Sequence, residues 1–322
     1  MFALYIGIAA TVVLLLVFVP AYLLFVYAVR KSTMLTPEQL IERLKARHKS
    51  DEIKSQWGYM AEEGYKKLLK QPLEDVYITS RDGLKLHATL IETENATKTV
   101  IFSHGWRSHA FFDFSCIWEY YLSHKFNVLL IDHRAHGKSE GKYICFGIKE
   151  RYDLIDWANF INLRFGTHKK IFFSGLSMGS ATVMMALGTE GLPSNVVGAS
   201  CDCGYTSPKD IFKHVLKSKF HLPSFPFINV ASLISKLTAR FDFDEFSSEE
   251  GLKKAKVPII FIHGTEDGFV PIEHTYRNMK SCASEYSQAI IENAGHGMSY
   301  LTDKESVIQK IEALLKSLFE DF

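Results

Sequence analysis

Hydrophobic residues fall into three kinds of run along this chain, and each predicts a different element. The first is unbroken: residues 1–29 carry no charged side chain, and Leu14-Leu15-Leu16-Val17-Phe18-Val19 is hydrocarbon-like throughout. A helix of that length is long enough to cross a bilayer. Residues 1–29 are therefore read as a transmembrane anchor, with Pro20 inside it and Tyr5, Tyr22 and Tyr27 suited to the interfaces. Two alternatives are a cleaved signal peptide and a buried core helix. Against the signal peptide stand the missing basic n-region and an apolar run longer than the ~7–15 residues usual there.

The second kind is amphipathic. Thr36-Pro37-Glu38 places proline at a first helical position, after which Leu40, Ile41 and Leu44 share one face. A further helical stretch over residues 51–70 adds Trp57, Tyr59, Met60 and Tyr65. Residues 30–71 are thus expected to form a helical appendage on the lid side or the membrane side.

The third kind is short and strand-like. Val76-Tyr77-Ile78-Thr79 and Leu84-Lys85-Leu86-His87-Ala88-Thr89-Leu90 flank Ser80-Arg81-Asp82-Gly83, a hairpin signal. Beyond them, Ile171-Phe172-Phe173, Val196-Val197-Gly198-Ala199, Val257-Pro258-Ile259-Ile260-Phe261-Ile262 and Ala289-Ile290-Ile291 alternate with helical stretches such as 150–165 and 177–187. This alternation predicts an α/β domain over residues 72–322, a mostly parallel sheet with helices on both faces. An insertion at about 203–256 interrupts it. Phe212, Phe220, Phe225, Phe227, Phe241, Phe243 and Phe246 are broken there by Pro208, Pro223 and Pro226. These rings either line an apolar pocket or bind the insertion to the core, and most are expected to do the latter.

Charge changes this picture little. Over 322 residues the net charge is +1, which gives no general attraction to nucleic acid. The basic segment Arg43-Leu44-Lys45-Ala46-Arg47-His48-Lys49 is local and reads as juxtamembrane sequence facing lipid headgroups or water. Arg30 and Lys31 directly follow the apolar run, so the positive-inside tendency leaves the large domain on the cytoplasmic side. Cys116, Cys145, Cys201, Cys203 and Cys282 form no zinc or C-x-x-C pattern and read as reduced thiols.

The chemistry enters with Gly175-Leu176-Ser177-Met178-Gly179, a G-x-S-x-G directly after a strand. In such an elbow a strained turn exposes the serine Oγ at the start of a helix. A serine hydroxyl needs a base and the base an orienting acid. His263-Gly264-Thr265-Glu266-Asp267-Gly268 follows one strand and Asn293-Ala294-Gly295-His296-Gly297 the next, supplying Asp267 and His296. Asp202, at the end of the run from Val196, is an alternative acid. His104 and His263, each before a glycine at a strand end, read as hydrogen-bonded loop histidines. His109, His133 and His136 lack the helical spacing of a zinc hydrolase.

The order Ser177, Asp267, His296, together with Phe102-Ser103-His104-Gly105-Trp106 and Asp132-His133-Arg134-Ala135-His136-Gly137-Lys138-Ser139, resembles the α/β-hydrolase superfamily from about residue 72 to the C-terminus. Ala135 departs from it, standing where glycine is usual. Within the superfamily the chain is most similar to membrane-anchored bacterial hydrolases with a compact helical cap, close to the family named after Bem46. The resemblance implies an oxyanion hole from the backbone N–H groups of Trp106 and Met178, whose side chains are then free to line the pocket. It implies acyl-ester hydrolysis by a carboxylesterase- or lipase-like enzyme without metal or organic cofactor, acting on a small-molecule acyl substrate. Peptidase, thioesterase and amidase chemistry stay open, as does a membrane-tethered binding protein that has lost catalysis. Oligomeric state is not legible.

Overall fold

The computed structural model describes residues 1–31, 33–47, 52–320 and 322. Three helices come first, α1 (Phe2–Ala28), α2 (Pro37–Arg47) and α3 (Glu52–Leu68). The hairpin follows as β1 (Glu74–Thr79) and β2 (Lys85–Ile91), closed by Gly83 at φ 87°. Then come β3 (Lys98–Ser103), α4 (Ala110–Asp113), α5 (Trp118–Ser123), β4 (Phe126–Ile131), α6 (Glu150–Phe165), β5 (Lys170–Leu176), α7 (Met178–Leu187) and β6 (Val196–Asp202). The insertion forms α8 (Pro208–Phe220), α9 (Phe227–Thr238) and α10 (Ser248–Leu252). Last are β7 (Ile259–Gly264), α11 (Glu273–Ser281), β8 (Tyr286–Ile291), α12 (Ser299–Thr302) and α13 (Lys304–Leu318).

The eight strands make one sheet in the order β1-β2-β4-β3-β5-β6-β7-β8. Pairing is antiparallel from β1 to β4 and parallel from there on. This is the α/β-hydrolase fold. Alternation along each strand sends Ile101, Leu129 and Phe173 to one face, under α6 and α7, and Phe102, Leu130 and Phe172 to the other, under α5 and α13. The direction of winding reverses around β3, which pairs with both β4 and β5. Open parallel sheets bind ligands outside the carboxyl ends of strands at such a point. Ser103 is in register with Gly175, so the loops leaving β3 and β5 emerge side by side.

The N-terminal helix corrects the expectation for residues 1–29. Among the described residues no helix is long and apolar enough to cross a membrane. The physical reason for a shorter free stretch lies in α1 itself. Ala21, Leu24, Phe25, Ala28 and Val29 are buried in the same core as α6 and α7, and α1 packs along α9. Backbone bonds stitch its end to the domain: Ile144 N–H donates to the Val29 carbonyl at 2.7 Å and Lys31 N–H to that of Lys142 at 2.8 Å. Phe2, Leu4, Tyr5, Leu14, Leu15, Leu16 and Phe18 remain exposed. The helical appendage forms as α2 and α3, where Lys45 is engaged by Glu42 and Glu62. His48 and Lys49 of the basic segment lie outside the described residues.

Candidate active site

Ser177 joins β5 to α7 with φ 56° and ψ −113°. A positive φ is strained for any residue bearing a Cβ, at a cost of order 1–3 kcal/mol. Close packing on both sides holds it there. A Cβ on Gly175 would stand 2.5 Å from the Gly179 carbonyl oxygen, and one on Gly179 would stand 1.8 Å from that of Ser103. Only glycine permits this approach of α7 to β3 and β5. The Ser177 N–H donates to the Asp202 carbonyl at 2.8 Å, which fixes the elbow on the next strand.

The loops after β7 and β8 deliver Asp267 and His296 to the same point. His296 Nε2 lies 2.9 Å from Ser177 Oγ, and Nδ1 lies 2.7 Å from Asp267 Oδ2. A carboxylate only accepts, so the ring proton belongs on Nδ1 and the Nε2 lone pair faces the serine hydroxyl. Asp267 is itself held firmly. Its Oδ1 accepts the N–H groups of Phe269 and Val270, both at 2.9 Å. Burial opposes its ionisation, but hydrogen bonds from His263 and His296 outweigh burial and hold the carboxyl well below the usual range.

The alternative acid does not reach the imidazole. Asp202 ends β6 with Oδ1 3.5 Å from Ser299 Oγ, and burial pushes its pKa up to about 6. His263 is a buried loop histidine, with Nδ1 2.7 Å from Thr275 Oγ1 and Nε2 2.9 Å from the Val270 carbonyl. His104 bonds the Gly105 carbonyl and accepts the His133 N–H. His136 bonds the Arg134 carbonyl and accepts the Arg107 N–H. Burial lowers the pKa of His104, His133 and His136, so these rings act as neutral pins for the loops. His109 contacts the Leu35 carbonyl at 2.8 Å. Ala135 adopts φ 62°, the left-handed conformation that explains why glycine is usual there.

Among the described residues, the one group of metal-ligand type is Cys203, Asp267 and His296, whose donor atoms lie within 4.8 Å of one another. Burial raises the Cys203 thiol well above its ordinary pKa, which keeps it protonated. The other two are already bonded to each other.

Two cavities meet at Ser177. The larger, about 410 Å³, is lined by Gly105, Trp106, Ser177 and His296 and extends to Leu40 and Leu44 of α2. The smaller, about 30 Å³, lies between α1 and α8 and is also bordered by Trp106 and Ser177. The Trp106 side chain lines the pocket as expected. That of Met178 does not: it is fully buried in the core, because the first residue of α7 turns inward while Ser177 faces the cavities. The phenylalanine-rich insertion also sorts as expected. Phe241 and Phe243 are core and Phe225 is exposed, whereas Phe212 borders the smaller cavity.

Two contributions escaped the sequence reading. Asp113 accepts the Gly105 N–H at 2.7 Å and the Ser108 hydroxyl at 2.5 Å, bracing the loop that carries Trp106. Its only signal was an isolated carboxylate within Ala110-Phe111-Phe112-Asp113-Phe114. The other is α1, whose Leu24, Tyr27 and Ala28 line the smaller cavity. Trp106 Nε1 donates to the Ala28 carbonyl at 2.9 Å.

Comparison with known proteins supports an α/β-hydrolase enzyme. Residues 94–223 match the family described as serine aminopeptidase, S33. The uncharacterized protein YqkD of Bacillus subtilis is 25% identical over 244 residues, covering 75% of this chain and 78% of its own. The uncharacterized protein YfhR of Escherichia coli K12 is 21% identical over 255 residues, covering 76% and 81%. Among solved structures, the Pyrococcus furiosus esterase Pf2001 superposes with a TM-score of 0.63 at 25% identity, over 78% of this chain and 93% of that one. The esterase EaEST of Exiguobacterium antarcticum gives 0.56 at 18% identity, over 76% and 100%.

Proposed function

We propose that this α/β-hydrolase enzyme is a serine hydrolase that cleaves carboxylic esters through an acyl-enzyme intermediate. The observation that supports this is the unbroken chain from Ser177 Oγ through His296 to the buried Asp267 carboxylate. Ser177 attacks the ester carbonyl while His296 Nε2 takes its proton. His296 then returns the proton to the departing alcohol, and Asp267 stabilises the imidazolium between the two steps. The oxyanion is received by the backbone N–H groups of Trp106 and Met178, each donor worth about 2.7–4 kcal/mol in comparable sites. Water enters by the same route, with His296 as its base, and releases the acid.

An ester fits the site better than an amino-terminal peptide. An exopeptidase needs a free carboxylate to hold the substrate ammonium. Of the carboxylates lining the larger cavity, Asp113 is committed to Gly105 and Ser108, and burial disfavours the ionised form of Asp202.

The exposed apolar side chains of α1, among them Leu14, Leu15, Leu16 and Phe18, suit association with a lipid surface rather than a crossing of the bilayer. Arg30 and Lys31 follow, and basic side chains beside such a stretch favour the anionic cytoplasmic leaflet. A fluorophosphonate probe tests the chemistry: it should label the wild-type protein and not Ser177→Ala. Labelling of a folded Ser177→Ala protein, or none of the wild type, ends the reading. A preference for amino-acid anilides over p-nitrophenyl esters would turn it toward peptidase.

A further inference from the structure

The two cavities divide the substrate, because His296 borders the larger and not the smaller. The imidazolium must protonate the leaving group, so the alcohol occupies the side where His296 stands. The acyl carbons then have the slot between α1 and α8. Its wall is built from Leu24, Tyr27 and Ala28 of α1 facing Ile211, Phe212 and Val215 of α8. Two of the polar groups near it are already spent: the Trp106 indole N–H on the Ala28 carbonyl and the Tyr205 hydroxyl on that of Phe146 at 3.1 Å. Such a wall receives hydrocarbon. Its volume, about 30 Å³ against 410 Å³ on the leaving-group side, admits only a few heavy atoms, given that one water occupies ~10–15 Å³ on the same measure.

We infer that the substrates are esters of short acyl groups, two to four carbons, with a bulky and largely apolar alcohol, and that Leu24 of the N-terminal helix sets the acyl limit. This rests on the ester-hydrolase reading and adds an acyl preference to it. It also gives α1 a second role, since the helix that carries the exposed apolar stretch forms the acyl wall.

The test is kcat/KM for p-nitrophenyl acetate, butyrate, octanoate and dodecanoate with the full chain. The wild type should favour acetate and butyrate over dodecanoate by at least tenfold. Leu24→Ala opens room for about two methylenes. At roughly fourfold per methylene buried, the octanoate-to-acetate ratio should rise about sixteenfold. Val215→Ala, on the facing wall, should shift it the same way should Leu24→Ala fold poorly. Leu16→Ala, on the exposed part of α1, should not move the ratio. A wild type that prefers dodecanoate, or wall variants that scale all four esters equally, overturns the inference while fluorophosphonate labelling leaves the serine-hydrolase reading intact. Absence of both labelling and hydrolysis overturns the two together.

Discussion

Replacing Asp267 by asparagine separates the two candidate acids by orders of magnitude. In the wild type the carboxylate lies 2.7 Å from His296 Nδ1, and its charge is offset only as the imidazole becomes cationic. With charge centres ~4 Å apart and an effective dielectric near 20, that attraction is about 4 kcal/mol. At 1.36 kcal/mol per tenfold, its loss alone lowers kcat about a thousandfold. Asparagine adds a second fault. Its amide donates to Nδ1, which moves the ring proton to Nε2, and a protonated Nε2 cannot accept from Ser177. The combined loss is expected at about 10³–10⁴ in kcat on p-nitrophenyl butyrate, with KM changed far less, since neither effect touches ground-state binding.

Asp202→Asn is the matched control. Asp202 holds Ser177 through its main-chain carbonyl, which asparagine retains, so kcat should fall less than tenfold. The substitution should also stabilise the fold at alkaline pH. Burial raises this carboxyl to about 6, above the ~3.9 of an unfolded aspartate. A group raised in this way supports the fold while protonated, and that support fades as pH rises through 6. The Tm difference between Asp202→Asn and wild type should therefore be small below about pH 3.9, where both states are protonated, and positive at pH 8. Equal losses of kcat in the two variants, or a greater one in Asp202→Asn, would refute the assignment of Asp267.

Gly179→Ala should destabilise by more than about 3 kcal/mol, or prevent folding, because its Cβ would meet the Ser103 carbonyl at 1.8 Å and backbone cannot yield as a side chain does; a Tm near that of the wild type contradicts the packing. Asp113→Ala should reduce kcat ten- to a hundredfold with little change in KM, since the loop carrying the Trp106 N–H loses its brace, and steady-state kinetics decides. Removing residues 1–19 should leave a folded enzyme active on p-nitrophenyl acetate, whereas removing 1–29 should cost several kcal/mol and most activity by stripping Leu24, Phe25 and Ala28 from the core; equal Tm values in the two truncations would show that the end of α1 is dispensable. Alkaline phosphatase fused after Phe322 should be inactive and a cytoplasm-dependent fluorescent protein bright, and the reverse pair of signals places the domain outside.

The parts of the site that were legible in the sequence are those whose chemistry forces a local pattern. A nucleophile elbow needs glycine wherever two backbones approach, and Gly175 and Gly179 flank Ser177 for that reason. Asp267 and His296 lie in the loops after β7 and β8, where the apolar run stops and a polar loop must begin. Interactions that cross between elements left no such mark. The side chain of Met178 looked available to the pocket because it follows the nucleophile, yet the turn that aims one residue at the cavity sends the next into the core. Asp113 braces a loop eight positions earlier, a relation that has no periodicity to betray it.

The apolar N-terminus shows the limit most clearly. Leucine, valine and phenylalanine satisfy a lipid tail and a protein core equally well, so an unbroken hydrophobic run carries no internal boundary between the two environments. The boundary falls near Pro20 and Ala21, where exposed side chains give way to ones packed on α9 and the Trp106 loop. What determines it is the partner surface. Small residues at Ala21 and Ala28 permit close approach, and the Ala28 carbonyl meets the one indole N–H able to reach it. A transfer scale weighs each residue by its own side chain and so assigns α1 a single environment. The fold divides it: the end of α1 is packed in the core, while side chains before Pro20 such as Leu14, Leu15, Leu16 and Phe18 are exposed.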